Sequence, residues 1–276
     1  MSFRLGVCSW SLRPQSLADL VESMGRTEIH ACQLALVPLV ESPALWPDAV
    51  AALRDAGIAV LSGMMEMIGE DYTTLETIAT TGGVRPDATW SKNRARAEHV
   101  ATAAQHAGLN LVTFHAGFIP QPGEPERRRM LDRLRTVVDL FATHDIDLAL
   151  ETGQETAATL LELLDELDHP GLGVNFDPAN MILYGKGEPV DALRRLAPHV
   201  RQIHIKDAVP SPTPGTWGRE VPAGTGAVNW PGFFDVVRAF DRPIDLIIER
   251  EAGGERIADV LNAAALAKTH LGSAVS

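Results

Sequence analysis

The chain reads as a single (β/α)8 TIM barrel, and three observations point there. Eight short apolar runs alternate with segments of helical spacing along 276 residues. The runs are near-continuous in Val, Ile and Leu, as in a parallel sheet covered on both faces. No Gly-x-Gly-x-x-Gly follows the first run, so a doubly wound sheet lacks its phosphate loop, and the count of eight favours the closed barrel.

Taken in order, Leu5–Trp10 is the first strand, followed by a short helix over Leu17–Met24 after Pro14. Ala31–Val37 is the second strand, and Ala44–Ala56 a helix stopped by Gly57 at its C-terminus. Ile58–Met65 is the third strand. Gly69–Thr89 is polar and rich in Thr and Gly, which predicts a lid-like loop with one helical turn. Trp90–Ala107 is an amphipathic helix closed by Gly108, Asn110–His115 the fourth strand, and Pro125–His144 a long helix whose arginines 127–129 form a solvated face. Strand five is Ile146–Glu151, with a helix over Glu155–Leu167; strand six is Gly173–Asp177, with a helix over Pro189–Ala197. Strand seven, Val200–Lys206, leads into a Pro/Gly-rich stretch from Val209 to Asn229. A helix over Pro231–Phe240, strand eight at Ile244–Glu249 and a helix over Glu255–His270 close the chain. No low-complexity linker or composition shift divides it, so one domain, 1–276, is expected.

Composition narrows the function. An apolar fraction of 45% and a charged fraction of 22% are those of a globular protein. The net charge of −12 disfavours nucleic acid as a partner, since phosphate binding needs clustered Lys and Arg. No apolar run approaches the roughly 18 residues of a membrane span. Cys8 and Cys32 are too few for a disulfide framework, and the N-terminus enters its first strand without a signal peptide's apolar region. A cytoplasmic protein with no membrane partner is expected.

Four consecutive strands each end in a hard metal ligand: Glu151, Asp177, His204 and Glu249. In a barrel, C-terminal strand ends line the active site. One such carboxylate could equally cap a helix or pair with a cation; four groups in one register on neighbouring units point to a shared ion. Three carboxylates and an imidazole form a mostly oxygen shell suited to Mn²⁺ or Mg²⁺, with Co²⁺ also accommodated and Zn²⁺ less suited without a Cys ligand.

The segments Glu151-Thr152-Gly153, Asp177-Pro178-Ala179-Asn180, His204-Ile205-Lys206-Asp207 and Ile248-Glu249 resemble the motifs of the xylose-isomerase-like barrels, in the sugar phosphate isomerase/epimerase group. That group includes ketose 3-epimerases, hydroxypyruvate isomerases and inosose dehydratases, and the resemblance runs from the first strand to the last. It implies a catalytic divalent metal, usually manganese, at the four matching positions, with Glu151 and Glu249 carrying proton transfer. It also implies a small carbohydrate or keto-acid substrate and, as is common among relatives, a homo-oligomer. The chain departs from the ketose epimerases where they hold substrate: Asn180 stands in place of a His, Pro210 of an Arg and Ala157 of a Glu.

The expected chemistry is isomerisation or epimerisation through an enediolate, with Glu151 and Glu249 as acid and base. A lyase using the same enolate (dehydratase, decarboxylase or deglycosidase) is the alternative. His115, Lys206, Arg219, Trp10, Glu66 and Asn180 are the candidate substrate contacts. Gly224-x-Gly226 reads as a turn rather than a phosphate cradle. An apurinic-site endonuclease shares the barrel but needs a His where Asn180 stands, and a barrel that binds without turnover would take up no metal.

Overall fold

The computed structural model describes residues 2–275; Met1 and Ser276, the ends of the expected domain, lie outside them. Ten strands form in chain order: β1 (Leu5–Cys8), β2 (Ala31–Ala35), β3 (Ala59–Met64), β4 (Leu111–Phe114), β5 (Asp147–Glu151), β6 (Leu172–Phe176), β7 (Val200–Ile205), β8 (Asp207–Val209), β9 (Arg219–Val221) and β10 (Asp245–Ile248). Eight of them, β1 to β7 and β10, are parallel neighbours in a closed barrel, with β10 pairing β1 through Leu5–Leu246 to Val7–Ile248. The remaining pair, β8 and β9, makes an antiparallel ribbon after β7.

Around the barrel run α1 (Leu17–Gly25), α2 (Val37–Glu41), α3 (Ala49–Asp55), α4 (Leu75–Thr81), α5 (Asp87–His106), α6 (Pro125–Ala142), α7 (Ala157–Leu167), α8 (Pro178–Leu183), α9 (Pro189–Leu196), α10 (Trp230–Arg238) and α11 (Arg256–Leu271). None of the described helices is long and apolar enough to cross a membrane. The barrel strands bury both faces, as their unbroken apolar runs require: in β7 Ile203 and Ile205 face the helices while Gln202 and His204 face inward, and all four are 0% exposed. Lys206, next in that inward row, is 2% exposed.

Three segments differ from expectation. The second strand stops at Ala35, and Val37–Glu41 turns into α2. The helix expected from Ala44 begins only at Ala49, because Pro43 and Pro47 lack an N–H and push the residues before them out of helical conformation. The expected lid-like loop at 69–89 instead contains α4, started by a capping box in which Thr74 and Thr77 each satisfy the other's backbone N–H. This segment is pinned down: Val84 N donates to Ala116 O at 3.1 Å and Gly83 N to Glu70 Oε1 at 2.9 Å. Gly83 has φ +65°, and a Cβ there would stand 1.9 Å from Ala116 O. The close approach admits only glycine. Gly83→Ala is therefore expected to lower stability by about 2 kcal/mol or more, read as a drop in the denaturant midpoint; an unchanged midpoint would contradict the packing described.

Candidate active site

Glu151, Asp177, His204 and Glu249 converge at the C-terminal mouth of the barrel, all buried, each offering a ligand atom within 4.8 Å of the others. His204 Nδ1 is the centre. Glu249 Oε2 lies 3.3 Å from it, Asp177 Oδ2 3.6 Å and Glu151 Oε1 3.7 Å. His204 Nδ1 and Asp177 Oδ2 are buried and hydrogen-bonded to nothing in the protein. Buried polar atoms are rarely left so, and two of them facing one point among carboxylates fit a shared divalent cation.

The tautomer of His204 follows from its neighbours. Gln33 Nε2 donates to Thr113 Oγ1 at 2.9 Å and lies 3.4 Å from the carbonyl of Gly63, so Gln33 Oε1 turns toward His204 Nε2 at 2.8 Å. Asn175 Nδ2 also stands 3.1 Å from this Nε2 but donates to Glu151 Oε2, whereas the closer Gln33 carbonyl oxygen only accepts, which puts the imidazole proton on Nε2 and leaves the Nδ1 lone pair for a metal. Cys8 Sγ, 3.8 Å from the same Nε2, offers a second triad with Glu249, but burial pushes its thiol far up and keeps it protonated.

Asp177 serves two roles at once. Its Oδ1 accepts from Ala179 N at 2.7 Å and Asn180 N at 3.0 Å, capping α8, while Oδ2 faces the site. The sequence presents cap and ligand as competing uses, yet the two oxygens allow both. Gly153, at φ +146°, makes room: a Cβ there would fall 2.6 Å from Asn180 Cβ. Asn180 Nδ2 then donates to Glu151 Oε1 at 2.8 Å, and Asn175 Nδ2 to Glu151 Oε2 at 3.1 Å. On the other side, the Trp10 indole donates to Glu249 Oε1 at 2.7 Å and Lys206 Nζ to Glu249 Oε2 at 2.8 Å.

Burial pushes the Glu151 carboxyl up to about 8; His204 opposes the shift, while Glu249 and Asp177 add to it. Glu249 goes the other way: burial works against its charge, but Lys206 and His204 hold it well below the usual range. Burial likewise opposes charge on His204, and is overcome by the neighbouring carboxylates of Glu151 and Glu249, which raise it. The negative field that would hold a proton on His204 is the field that draws a cation.

A cavity of about 780 Å³ opens beside this cluster. Its wall includes Trp10, Glu66, His115 and Asn180 from the expected set, together with Glu151 and Glu249. Burial depresses the His115 imidazole, whose Nε2 stands 3.5 Å from Glu151 Oε1 and whose Nδ1 has no partner. Asn180 is already engaged, since its Oδ1 also accepts from Lys206 at 3.3 Å. Lys206 in turn reaches Glu251 Oε2 at 2.7 Å rather than the adjacent Asp207. Arg219 is the residue the structure places elsewhere: it is exposed on β9 and does not line the cavity. Strand alternation is the reason. Its neighbour Glu220 faces inward, accepting from Glu251 N at 2.9 Å and pairing Arg250 at 2.5 Å, which leaves Arg219 pointing away. Asp207 binds the amides of Gly224 and Gly226 at 2.9 and 3.0 Å, so that pair is a turn.

Sequence reasoning passed over the polar layer beneath the cluster. Ser62 Oγ donates to Gln202 Oε1 at 2.6 Å, and Gln202 Nε2 to Asn175 Oδ1 at 3.3 Å, a buried chain ending at Glu151. It also passed over Glu70, Tyr72, Tyr184, Trp217 and Glu251 on the cavity wall. The period-two row Gln202-x-His204-x-Lys206 was the available signal for the layer; the loop residues carried none.

Two outcomes follow for metal uptake. Protons held by His204 and Glu151 compete with a cation, and both groups are raised; apparent Mn²⁺ affinity should therefore climb as pH rises toward about 8, with proton release. Calorimetry in buffers of different ionisation enthalpy reads this, and a pH-independent affinity would contradict it. Gln33→Leu should weaken Mn²⁺ about 10- to 100-fold by freeing the tautomer of His204; undiminished affinity would remove Gln33 from the account.

Comparison with known proteins adds a family. A 3-dehydroshikimate dehydratase of Bacillus anthracis is 32% identical over 129 residues, 44% of this chain and 45% of that protein. The matched stretch spans under half the length of each curated relative found, 45%, 40% and 47%. Among solved structures, the xylose isomerase domain protein of Planctomyces limnophilus superposes with a TM-score of 0.86 at 29% identity over 98% of this chain and 96% of that one. A D-allulose 3-epimerase from Methylomonas sp., in complex with D-allulose, superposes at 0.72 with 14% identity over 98% and 97%, a likeness of fold alone. The family model described as xylose isomerase-like TIM barrel matches residues 29–270, most of the closed barrel described above, and the chain belongs to that family.

Proposed function

We propose that this protein is a single-domain, cytoplasmic, divalent-metal-dependent isomerase or epimerase of a small carbohydrate or keto-sugar. Mn²⁺ or Mg²⁺ is held by Glu151, Asp177, His204 and Glu249, and Glu151 and Glu249 are the acid/base pair. The observation that carries this reading is the pair of unpaired buried atoms, His204 Nδ1 and Asp177 Oδ2, with two further carboxylates closing on them from either side.

A divalent ion held there makes a C–H between a carbonyl and a hydroxyl acidic by stabilising the enediolate that proton loss leaves. The protein's own groups do the rest. Glu151 ends β5 and Glu249 follows β10, with β6 and β7 between, so a substrate lying across the mouth presents a different side to each. One carboxylate removes the proton, and the other returns it. Return to the opposite side of the same carbon inverts the centre; return to the neighbouring carbon shifts the carbonyl. The bonds from Asn180 and Trp10 fix each carboxylate through one oxygen. His115, with Nδ1 free, holds a substrate hydroxyl or carbonyl, and Trp10 and Glu66 form the adjoining wall.

The similarity to a dehydratase supports one second reading, a lyase that removes the same proton and expels a leaving group instead of reprotonating. Incubation of the Mn²⁺-loaded protein in D₂O with ketoses and keto acids separates the two. The proposal expects deuterium at the carbon beside the carbonyl and a product otherwise isobaric with its substrate. Glu151→Gln and Glu249→Gln should each lower kcat at least about 100-fold with the fold retained. A product lighter by water or carbon dioxide establishes the lyase, and an isobaric product formed without exchange refutes the enediolate proposal.

A further inference from the structure

The ammonium of Lys206 stands at the edge of the four-ligand cluster and is a built-in competitor for the cation. Its Nζ lies 2.8 Å from Glu249 Oε2 and 3.8 Å from Asp177 Oδ2, the oxygen that no protein donor satisfies. A short move toward Asp177 would put a positive charge where the divalent ion belongs. What draws the ammonium the other way is Glu251, whose Oε2 is 2.7 Å from Nζ; Asn180 Oδ1 adds a weaker contact at 3.3 Å. The Glu251 side chain is itself 54% exposed. Its pull on Lys206 therefore lasts only as long as its backbone is held in place.

Side chains alone hold that backbone. β10 ends at Ile248, and among the described residues no backbone-to-backbone hydrogen bond involves residues 250–254. Arg250 N donates to Ser11 Oγ at 2.9 Å. The amides of Glu251 and Ala252 both donate to the Glu220 carboxylate, at 2.9 and 3.2 Å from the nearer oxygen. Arg256 donates to the carbonyls of Arg250 and Glu251 and, at 3.0 Å, to that of Gly253. Arg250 balances the Glu220 charge at 2.5 Å and also pairs Asp259 at 2.8 Å. Glu220 is a fixed anchor because its ribbon is fastened at both ends: Asp207 takes the amides of Gly224, Gly226 and Val228, and Gly218 N donates to Leu183 O at 3.1 Å. Glu220 does not line the cavity. Its effect on the site runs through Glu251, which it grips by the backbone while Lys206 grips the carboxylate.

We propose that Glu220 and Glu251 are positioning residues that keep the Lys206 ammonium out of the metal site. Glu220 fixes the turn after β10, and Glu251, held in that turn, draws Lys206 away from Asp177 Oδ2. This rests on the reading of the four-residue cluster as a metal site and assigns two residues that protect it. Lys206 then balances the charge of Glu249 without taking the cation's place. With Glu251 gone, the buried ammonium keeps Glu249 and turns to Asp177 as the remaining carboxylate within reach.

Calorimetric titration with Mn²⁺ tests this through double-mutant cycles. Glu251→Ala and Glu220→Ala should each weaken Mn²⁺ about tenfold or more. Lys206→Met, which occupies similar space without the charge, should cancel both losses, so that in its background neither change costs more than about twofold. Equal losses in both backgrounds, the result of a merely structural loosening, would overturn the inference, as would undiminished affinity in the single variants. Amide hydrogen exchange separates the two roles. Glu220→Ala should deprotect residues 250–254 while the barrel strands stay protected, and Glu251→Ala should leave that turn protected. An undisturbed turn in Glu220→Ala would remove Glu220 from the inference. Should that variant fail to fold, Glu220→Gln, which keeps the length and loses the charge, carries the same expectations. Unmutated protein that takes up no Mn²⁺ defeats the reading of the cluster itself; Mn²⁺ uptake with equal losses in both backgrounds defeats the inference alone.

Discussion

Three carboxylates crowd one imidazole nitrogen in the barrel's mouth, and the surroundings are organised by that fact. Glu151, Asp177 and Glu249 are each 5% exposed or less, and His204 is 0%. Charges buried this deeply are destabilising unless hydrogen bonds or opposite charge answer them. The protein supplies donors to almost every carboxylate oxygen: Asn175 and Asn180 to Glu151, Trp10 and Lys206 to Glu249, two α8 amides to Asp177. It supplies none to Asp177 Oδ2 or to His204 Nδ1. Within the four-residue cluster the deficit is confined to the point that a cation would complete.

That confinement depends on elements remote from the cluster in sequence. Gln33 on β2 sets the proton of His204 on β7, and Thr113 on β4 sets Gln33. Ser62 on β3 begins the chain that reaches Glu151 through Gln202 and Asn175. Barrel closure is thus a condition for the site as well as for the fold, because the contacts of Gln33 with His204 and Thr113, and of Ser62 with Gln202, cross the interior between strands that are not neighbours in the sheet. The same economy governs the loop after β7, where Asp207 gathers the amides of Gly224, Gly226 and Val228 and the indole of Trp230, and Glu220 secures the backbone at Glu251 and Ala252.

The eight barrel strands and the four converging side chains were legible because both follow local patterns: apolar runs of strand length, four of them ended by a carboxylate or imidazole. The helix α8 was not, since six residues are too few to show a period, and its start is set by Asp177 acting as a cap. The compact packing of 69–89 was also hidden, because it depends on Gly83 meeting Ala116 across a gap in sequence. Arg219 was chosen as a cation near the right strand, but a two-residue alternation decides which way a side chain faces, and the ribbon's register is a tertiary fact. The cavity's aromatic wall was unreadable for a like reason: Tyr72, Tyr184 and Trp217 come from three different loops or helix ends.

The measurement that bears most directly on this account is anomalous diffraction from crystals grown with Mn²⁺. The account predicts one peak per chain at the barrel mouth, roughly 2 Å from His204 Nδ1, Asp177 Oδ2 and oxygens of Glu151 and Glu249. A peak on the Nε2 side of His204 beside Cys8, or no bound metal under conditions that saturate binding in solution, would contradict it.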